Sequence, residues 1–120
     1  MSKVLIVEDE VELRQSYKRI LESKGHITEV AGDGKEALDK VYKFKPKVIL
    51  LDIKMPNMNG IEFLDNLDRG KSKATVVIFS NLDNDKDIRS AREAGAQRYI
   101  LKSWASPNEL VKLVEDAAKN

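Results

Sequence analysis

Asp52 directly follows the apolar run Val48-Ile49-Leu50-Leu51 and opens the segment Ile53-Lys54-Met55-Pro56-Asn57-Met58-Asn59-Gly60. A carboxylate in that position stands where a buried strand emerges from the core. Val4-Leu5-Ile6-Val7 ends the same way, in Glu8-Asp9-Glu10. Ser80 follows the run Thr75–Phe79, and Lys102 follows Tyr99-Ile100-Leu101. Brought to one crevice, Glu8, Asp9, Asp52, Ser80 and Lys102 would supply carboxylates, a hydroxyl and an ammonium. Carboxylates crowded together repel unless a cation offsets their charge. Oxygen-only ligation suits a hard ion, Mg²⁺ or Mn²⁺, which also accepts a phosphoryl oxygen. An aspartate so placed can act as a nucleophile and form an aspartyl phosphate, with metal, ammonium and hydroxyl neutralising the phosphoryl oxygens.

The elements that must position these groups are legible as an alternation of short apolar runs and longer helix-period segments. Strands are expected at Val4–Val7, His26–Val30, Val48–Leu51, Thr75–Phe79 and Arg98–Leu101, and helices at Val11–Lys24, Gly34–Lys43, Ile61–Leu67, Asp83–Ala94 and Pro107–Ala118. Leu13, Tyr17, Ile20 and Leu21 make one apolar stripe, and Gly25 stops that helix. Asp33 with Glu36, and Ser106 with Glu109 and Pro107, read as capping boxes. Asp33-Gly34 also fits a hairpin turn, but the period of Ala37, Leu38, Val41 and Tyr42 favours a helix. Strand–helix units in series with short connections predict an α/β fold, a doubly wound, five-stranded parallel sheet with helices on both faces. In such sheets ligands bind outside the carboxyl ends of the strands, where the first, third, fourth and fifth strand ends converge.

At 120 residues, the chain is expected to form a single domain spanning 1–120. With 21 basic and 20 acidic residues, bulk charge predicts no binding to nucleic acid or to an anionic membrane. The sequence has no cysteine, which removes disulfide, thiolate and zinc–thiolate chemistry. Without a signal-type start or a long apolar stretch, a cytoplasmic protein is expected.

The motifs in this order resemble the receiver domain of bacterial two-component response regulators over the whole chain. They are Glu8-Asp9, the segment Leu51 to Gly60, Asp33-Gly34-Lys35-Glu36-Ala37-Leu38, Ser80, Ala94-Gly95-Ala96 and Tyr99-Ile100-Leu101-Lys102. The resemblance implies a flavodoxin-like (βα)5 fold. It implies that Asp52 accepts phosphate from a histidine kinase or phosphotransfer protein, and that Asp9, Asp52 and the Lys54 carbonyl bind Mg²⁺ (or Mn²⁺), with Glu8 acting through water. Lys102 would contact the phosphoryl group. Ser80 would turn inward to it and Tyr99 would follow, switching the face offered to a downstream protein or output domain. The chain would catalyse only its own phosphorylation and dephosphorylation. By the same resemblance, Lys54 and Leu82 set the phosphate lifetime and predict slow hydrolysis, and a homodimer through the last two helices is an option.

Two positions depart from the family pattern. Ser103 stands where proline, joined by a cis bond, is usual, and Trp104 where phenylalanine is common. A cis bond before a non-proline residue costs about 2.5–4 kcal/mol, so a trans Lys102–Ser103 bond is expected. Plainer readings also exist. Asp52 could cap a turn, Glu8-Asp9-Glu10 could complement a helix dipole, Lys102 could be a solvated lysine, and Ser80 a turn residue. His26 reads as a partly exposed connector, and Met55 and Met58 as packing residues. Other classes fit less well. A flavodoxin-like binder needs a small-residue phosphate loop where Glu8-Asp9-Glu10 stands, and a common aspartate-based phosphatase needs a second aspartate where Lys54 stands. A receiver-like scaffold that signals without phosphate is the remaining alternative.

Overall fold

The computed structural model describes residues 2–80, 85–102 and 105–119, with only the backbone of Asp85. It contains β1 (Lys3–Val7), α1 (Val11–Glu22), β2 (Ile27–Ala31), α2 (Gly34–Phe44), β3 (Val48–Leu51), α3 (Gly60–Asn66), β4 (Thr75–Ser80), α4 (Asp85–Glu93), β5 (Arg98–Leu101) and α5 (Pro107–Ala118). The strands form one parallel sheet in the order β2-β1-β3-β4-β5. The expected doubly wound architecture is therefore the observed one.

Alternation along the strands divides the core between the two faces. Leu5, Val7, Ile49, Leu51, Val76 and Ile78 pack with α2, α3 and α4 through residues such as Val41, Phe63 and Ala91. Val4, Ile6, Val48, Leu50, Val77 and Phe79 face Leu21 of α1 and Leu110 and Val114 of α5. Both faces of β3 and β4 are covered, which is why their sequences are apolar without a break.

Local signals set most helix ends. Gly25, at φ +87°, turns the chain after α1, and the His26 N–H returns to the Leu21 carbonyl at 3.1 Å. Ser106 and Glu109 form the expected capping box, with Pro107 at the first position of α5. Asp33 accepts from the Glu36 N–H at 2.8 Å, but the Glu36 carboxylate reaches the Gly32 N–H at 2.7 Å, one residue beyond the box partner. Asn59 and Glu62 make a complete capping box on α3.

His26 differs from its expected placement. It is 5 % exposed. Its Nδ1 accepts from the Ser2 N–H at 3.2 Å, and its Nε2 lies 3.3 Å from Glu115 Oε2 on α5. The turn after Gly25 folds the ring under α5, where both ring nitrogens find partners and burial carries no penalty for an unmet polar atom. Leu82, Ser103 with its peptide bond to Lys102, and Trp104 lie outside the described residues.

Candidate functional site

Four strand ends meet at the carboxyl edge of the sheet. Val7 of β1 is in register with Leu51 of β3, so the residues that follow, Glu8 and Asp52, emerge side by side. The ladder continues into them: the Asp52 N–H donates to the Val7 carbonyl, and the Glu8 N–H to the Ala31 carbonyl, each at 3.0 Å. On the other flank Ser80 is paired with Leu101, which places Lys102 one residue beyond. Adjacent strands in fixed register thus gather groups separated by up to 94 residues in sequence.

The Lys102 ammonium bridges two acids, donating to Glu8 Oε1 and, at 2.9 Å, to Asp52 Oδ2. The second oxygen of Asp52 is also engaged: Oδ1 accepts from Ser80 Oγ at 2.9 Å and from the Ile53 N–H at 2.7 Å. Ser80 is 2 % exposed and its hydroxyl already faces inward. Glu8 is likewise 2 % exposed, whereas Asp9 is open to solvent. The Glu10 N–H caps Glu8 Oε2 at 3.2 Å. Lys54 is exposed, two residues after Asp52. Tyr99 is half-buried beside Ile78 and Ala91, at the edge of the α4 side of the core.

These surroundings shift the ionisable groups in understandable directions. Burial pushes the Glu8 carboxyl up to about 7, opposed by the Lys102 hydrogen bond and reinforced by the Asp52 charge. Burial alone would lower the Lys102 pKa, but hydrogen bonds to Glu8 and Asp52 outweigh it and raise the value above that of a free lysine. Burial also raises the phenol of Tyr17. That ring meets Phe79 edge-on at 5.2 Å and lines the base of the site with Glu8 and Asp52.

Carboxylate oxygens of Glu8, Asp9 and Asp52 lie within 4.8 Å of one another. One ammonium cannot neutralise three carboxylates, and the donor set is all oxygen, so the group fits a hard divalent cation in charge and chemistry.

The loop between β3 and α3 packs closely against the first glycines of two helices, Gly60 of α3 and Gly34 of α2. A Cβ on Gly60 would lie 2.3 Å from the Asp52 carbonyl oxygen and 2.9 Å from Ile53 Cα. One on Gly34 would lie 2.8 Å from both Met58 Cγ and its carbonyl oxygen, and the Gly34 N–H donates to that carbonyl at 2.8 Å. Asn57, at φ +64°, ties the same loop to Asp33 through a 2.8 Å hydrogen bond.

The family model for the response regulator receiver domain matches residues 4–115. The chain belongs to the receiver-domain family. Among relatives, the nitrate/nitrite response regulator protein NarL of Escherichia coli K12 is 33% identical over 117 residues, covering 96% of this chain and 54% of NarL. The DNA-binding response regulator MtrA of Mycobacterium tuberculosis H37Rv is 35% identical over 112 residues, covering 93% of this chain and 48% of MtrA. This receiver domain therefore spans about half the length of those relatives. The structure of the receiver domain of Francisella response regulator 1452 superposes with a TM-score of 0.88 at 33% identity, covering 99% of this chain and 98% of that one.

Receiver domains belong to two-component systems, in which response regulators interact with histidine kinases and output domains. Among the described residues of this one, no helix is long and apolar enough to cross a membrane.

Sequence reading missed two groups around the site. Arg14 donates to the Glu8 carbonyl at 3.0 Å, and its guanidinium lies where a Cβ on Gly32 would be, 2.9 Å away. Its spacing four residues after Glu10 was the available signal. Tyr17 was placed only in the apolar stripe of α1, because a helical period shows which face is buried and not what lies beneath it.

Proposed function

We propose that Asp52 is the phosphoacceptor of this receiver domain and that a histidine kinase or phosphotransfer protein is its donor. The observation that carries this reading is the way both oxygens of Asp52 are met, one by Lys102 and the other by Ser80. These are the cation and the hydroxyl that a phosphoryl group on Asp52 would need. A carboxylate oxygen of Asp52 attacks phosphorus, the bond from phosphorus to the donor imidazole nitrogen breaks, and the electron pair leaves on that nitrogen. Lys102 follows the developing charge by moving from Asp52 Oδ2 to a phosphoryl oxygen, and Ser80 transfers its hydrogen bond in the same sense.

Asp9, Asp52 and the Lys54 carbonyl would hold Mg²⁺, with Glu8 acting through water; when bound, the ion supplies charge neutralisation at the phosphoryl oxygens. The loss of the Ser80–Asp52 bond frees the end of β4, and Tyr99, in register with Ile78, responds on the neighbouring strand. The face built by α4, β5 and α5 is then the one that changes for a downstream protein, an output domain or a second copy. Lys54, exposed beside the acceptor, shields the phosphoryl group, and Leu82 offers no polar atom to orient water, so hydrolysis is slow. The only chemistry catalysed is the domain's own phosphorylation and dephosphorylation, and its proposed setting is the cytoplasm.

The test is to incubate the protein with a small phosphodonor and Mg²⁺ and measure intact mass. A single phosphate adduct that is absent in Asp52→Asn is the expected result. No adduct at any Mg²⁺ concentration would leave a scaffold that signals without phosphate.

A further inference from the structure

The amino edge of the sheet, at the opposite end of the strands from Asp52, carries a groove of about 540 Å³. Its walls are Lys3, Lys45, Lys47, Lys71 and Lys73, and its lining includes Ser72 but no carboxylate. None of these five lysines forms an ion pair among the described residues. Asp68, on the loop that carries Lys71 and Lys73, uses Oδ1 to cap the Gly70 N–H at 2.8 Å. Lysines near helix C-termini commonly complement the helix dipole. That role does not require five of them around a single hollow.

The groove is built before any ligand arrives. The Lys47 N–H donates to the Lys3 carbonyl at 2.8 Å, and the Thr75 N–H to the Lys47 carbonyl at 3.0 Å, which ties the starts of β1, β3 and β4 together. Lys45 sits at φ +54°, a left-handed position usually given to glycine. The Lys3 and Lys71 ammoniums rest over the rings of Phe44 and Tyr42, at 5.6 and 5.8 Å from their centroids. Pro46 and Ala74 make a buried apolar floor. Ser72 is only 7 % exposed and lies between Lys71 and Lys73 in the lining of the groove. Five lysines around one hollow that no carboxylate lines concentrate positive charge that a multiply charged anion would offset.

We propose that this groove binds a compact polyanion carrying a chain of phosphate groups, either inorganic or the phosphate chain of a nucleotide. The volume is that of a small-molecule site and not of a surface strip that would track an extended polymer. No aromatic side chain lines it, so it offers bases no stacking platform. Lysine acts as a point charge toward phosphate, and several such charges in one hollow match a ligand whose own charges are closely spaced. Binding is independent of the state of Asp52, which lies at the other edge.

The experiment uses inorganic tripolyphosphate and the whole chain, in buffer containing a chelator so that no metal links the ligand to the acidic edge. Calorimetry should show one site, weakened about tenfold or more between low and physiological salt. Amide resonances of residues 45–47 and 71–74 should shift. The Lys47→Glu, Lys71→Glu double variant should bind about tenfold more weakly or worse, while Asp52→Asn binds normally. Should the double variant melt early, Lys73→Gln gives the same test with one neutralised charge. A nucleoside triphosphate binding more tightly than tripolyphosphate identifies a nucleotide as the source, and equal binding identifies the phosphate chain itself. The proposal is overturned by absent binding, by unchanged binding in the lysine variants, by shifts centred on Lys102, or by tighter binding of an acidic peptide or duplex DNA.

Discussion

At the scale of single residues, Glu8 is the group whose environment differs most from its sequence neighbours. It is buried beside Lys102, while Asp9 next to it faces solvent. Its carboxyl titrates near 7 in the folded protein instead of the ordinary 4.5. A folded-state pKa above the unfolded one means that the folded protein holds the proton more tightly. The resulting stability is fully present below pH 4.5 and is lost as pH rises through 7. In metal-free buffer the melting temperature should therefore fall across that interval, by on the order of several degrees. Glu8→Gln should flatten that part of the profile, and parallel profiles for the two proteins would show the shift to be absent. The strand-end placement of Glu8, Asp9, Asp52, Ser80 and Lys102 was legible because each follows an apolar run. What was not legible was which oxygen each group would meet, since that depends on register between strands far apart in sequence.

Among the elements, the loop from Asp52 to α3 sets the acceptor's position, and Gly60 is its tightest point. The side chain that alanine would add collides with main chain at the Asp52 carbonyl, which cannot swing aside as a flexible side chain would. Gly60→Ala should cost about 1–3 kcal/mol. It should also lower the rate of phosphoryl-adduct formation even where the protein is fully folded. Gly25→Ala is the contrasting control: its φ is positive, but nothing lies within 4 Å of the added carbon. It should lose about 1 kcal/mol through backbone strain and leave adduct formation unchanged. Chemical denaturation with timed mass measurements separates the two effects. Sequence found every strand and helix to within a few residues, because caps and apolar periods are local. It misjudged His26 because the Glu115 partner arrives from α5, 89 residues away.

Across the whole molecule, near-neutrality conceals an uneven distribution of charge. The formal net charge is +1, yet Glu8, Asp9 and Asp52 cluster at one edge of the sheet and Lys3, Lys45, Lys47, Lys71 and Lys73 at the other. Composition could not reveal this, because totals carry no positions. Parallel strands create it: every strand starts at one edge and ends at the other, so residues before the strands and residues after them are sorted to opposite poles.

The pairing of Ser80 with Leu101 also bears on timing during synthesis. A chain released after Ser80 would already contain Glu8, Asp9, Asp52 and Ser80, yet it would lack β5 and the only ammonium that bridges the acids among the described residues. Such a fragment should take up no phosphate when treated with phosphodonor and Mg²⁺, whereas the whole chain does; intact mass reads both. Lys102, at the end of the last strand, is thus the last of the five strand-end groups to be made.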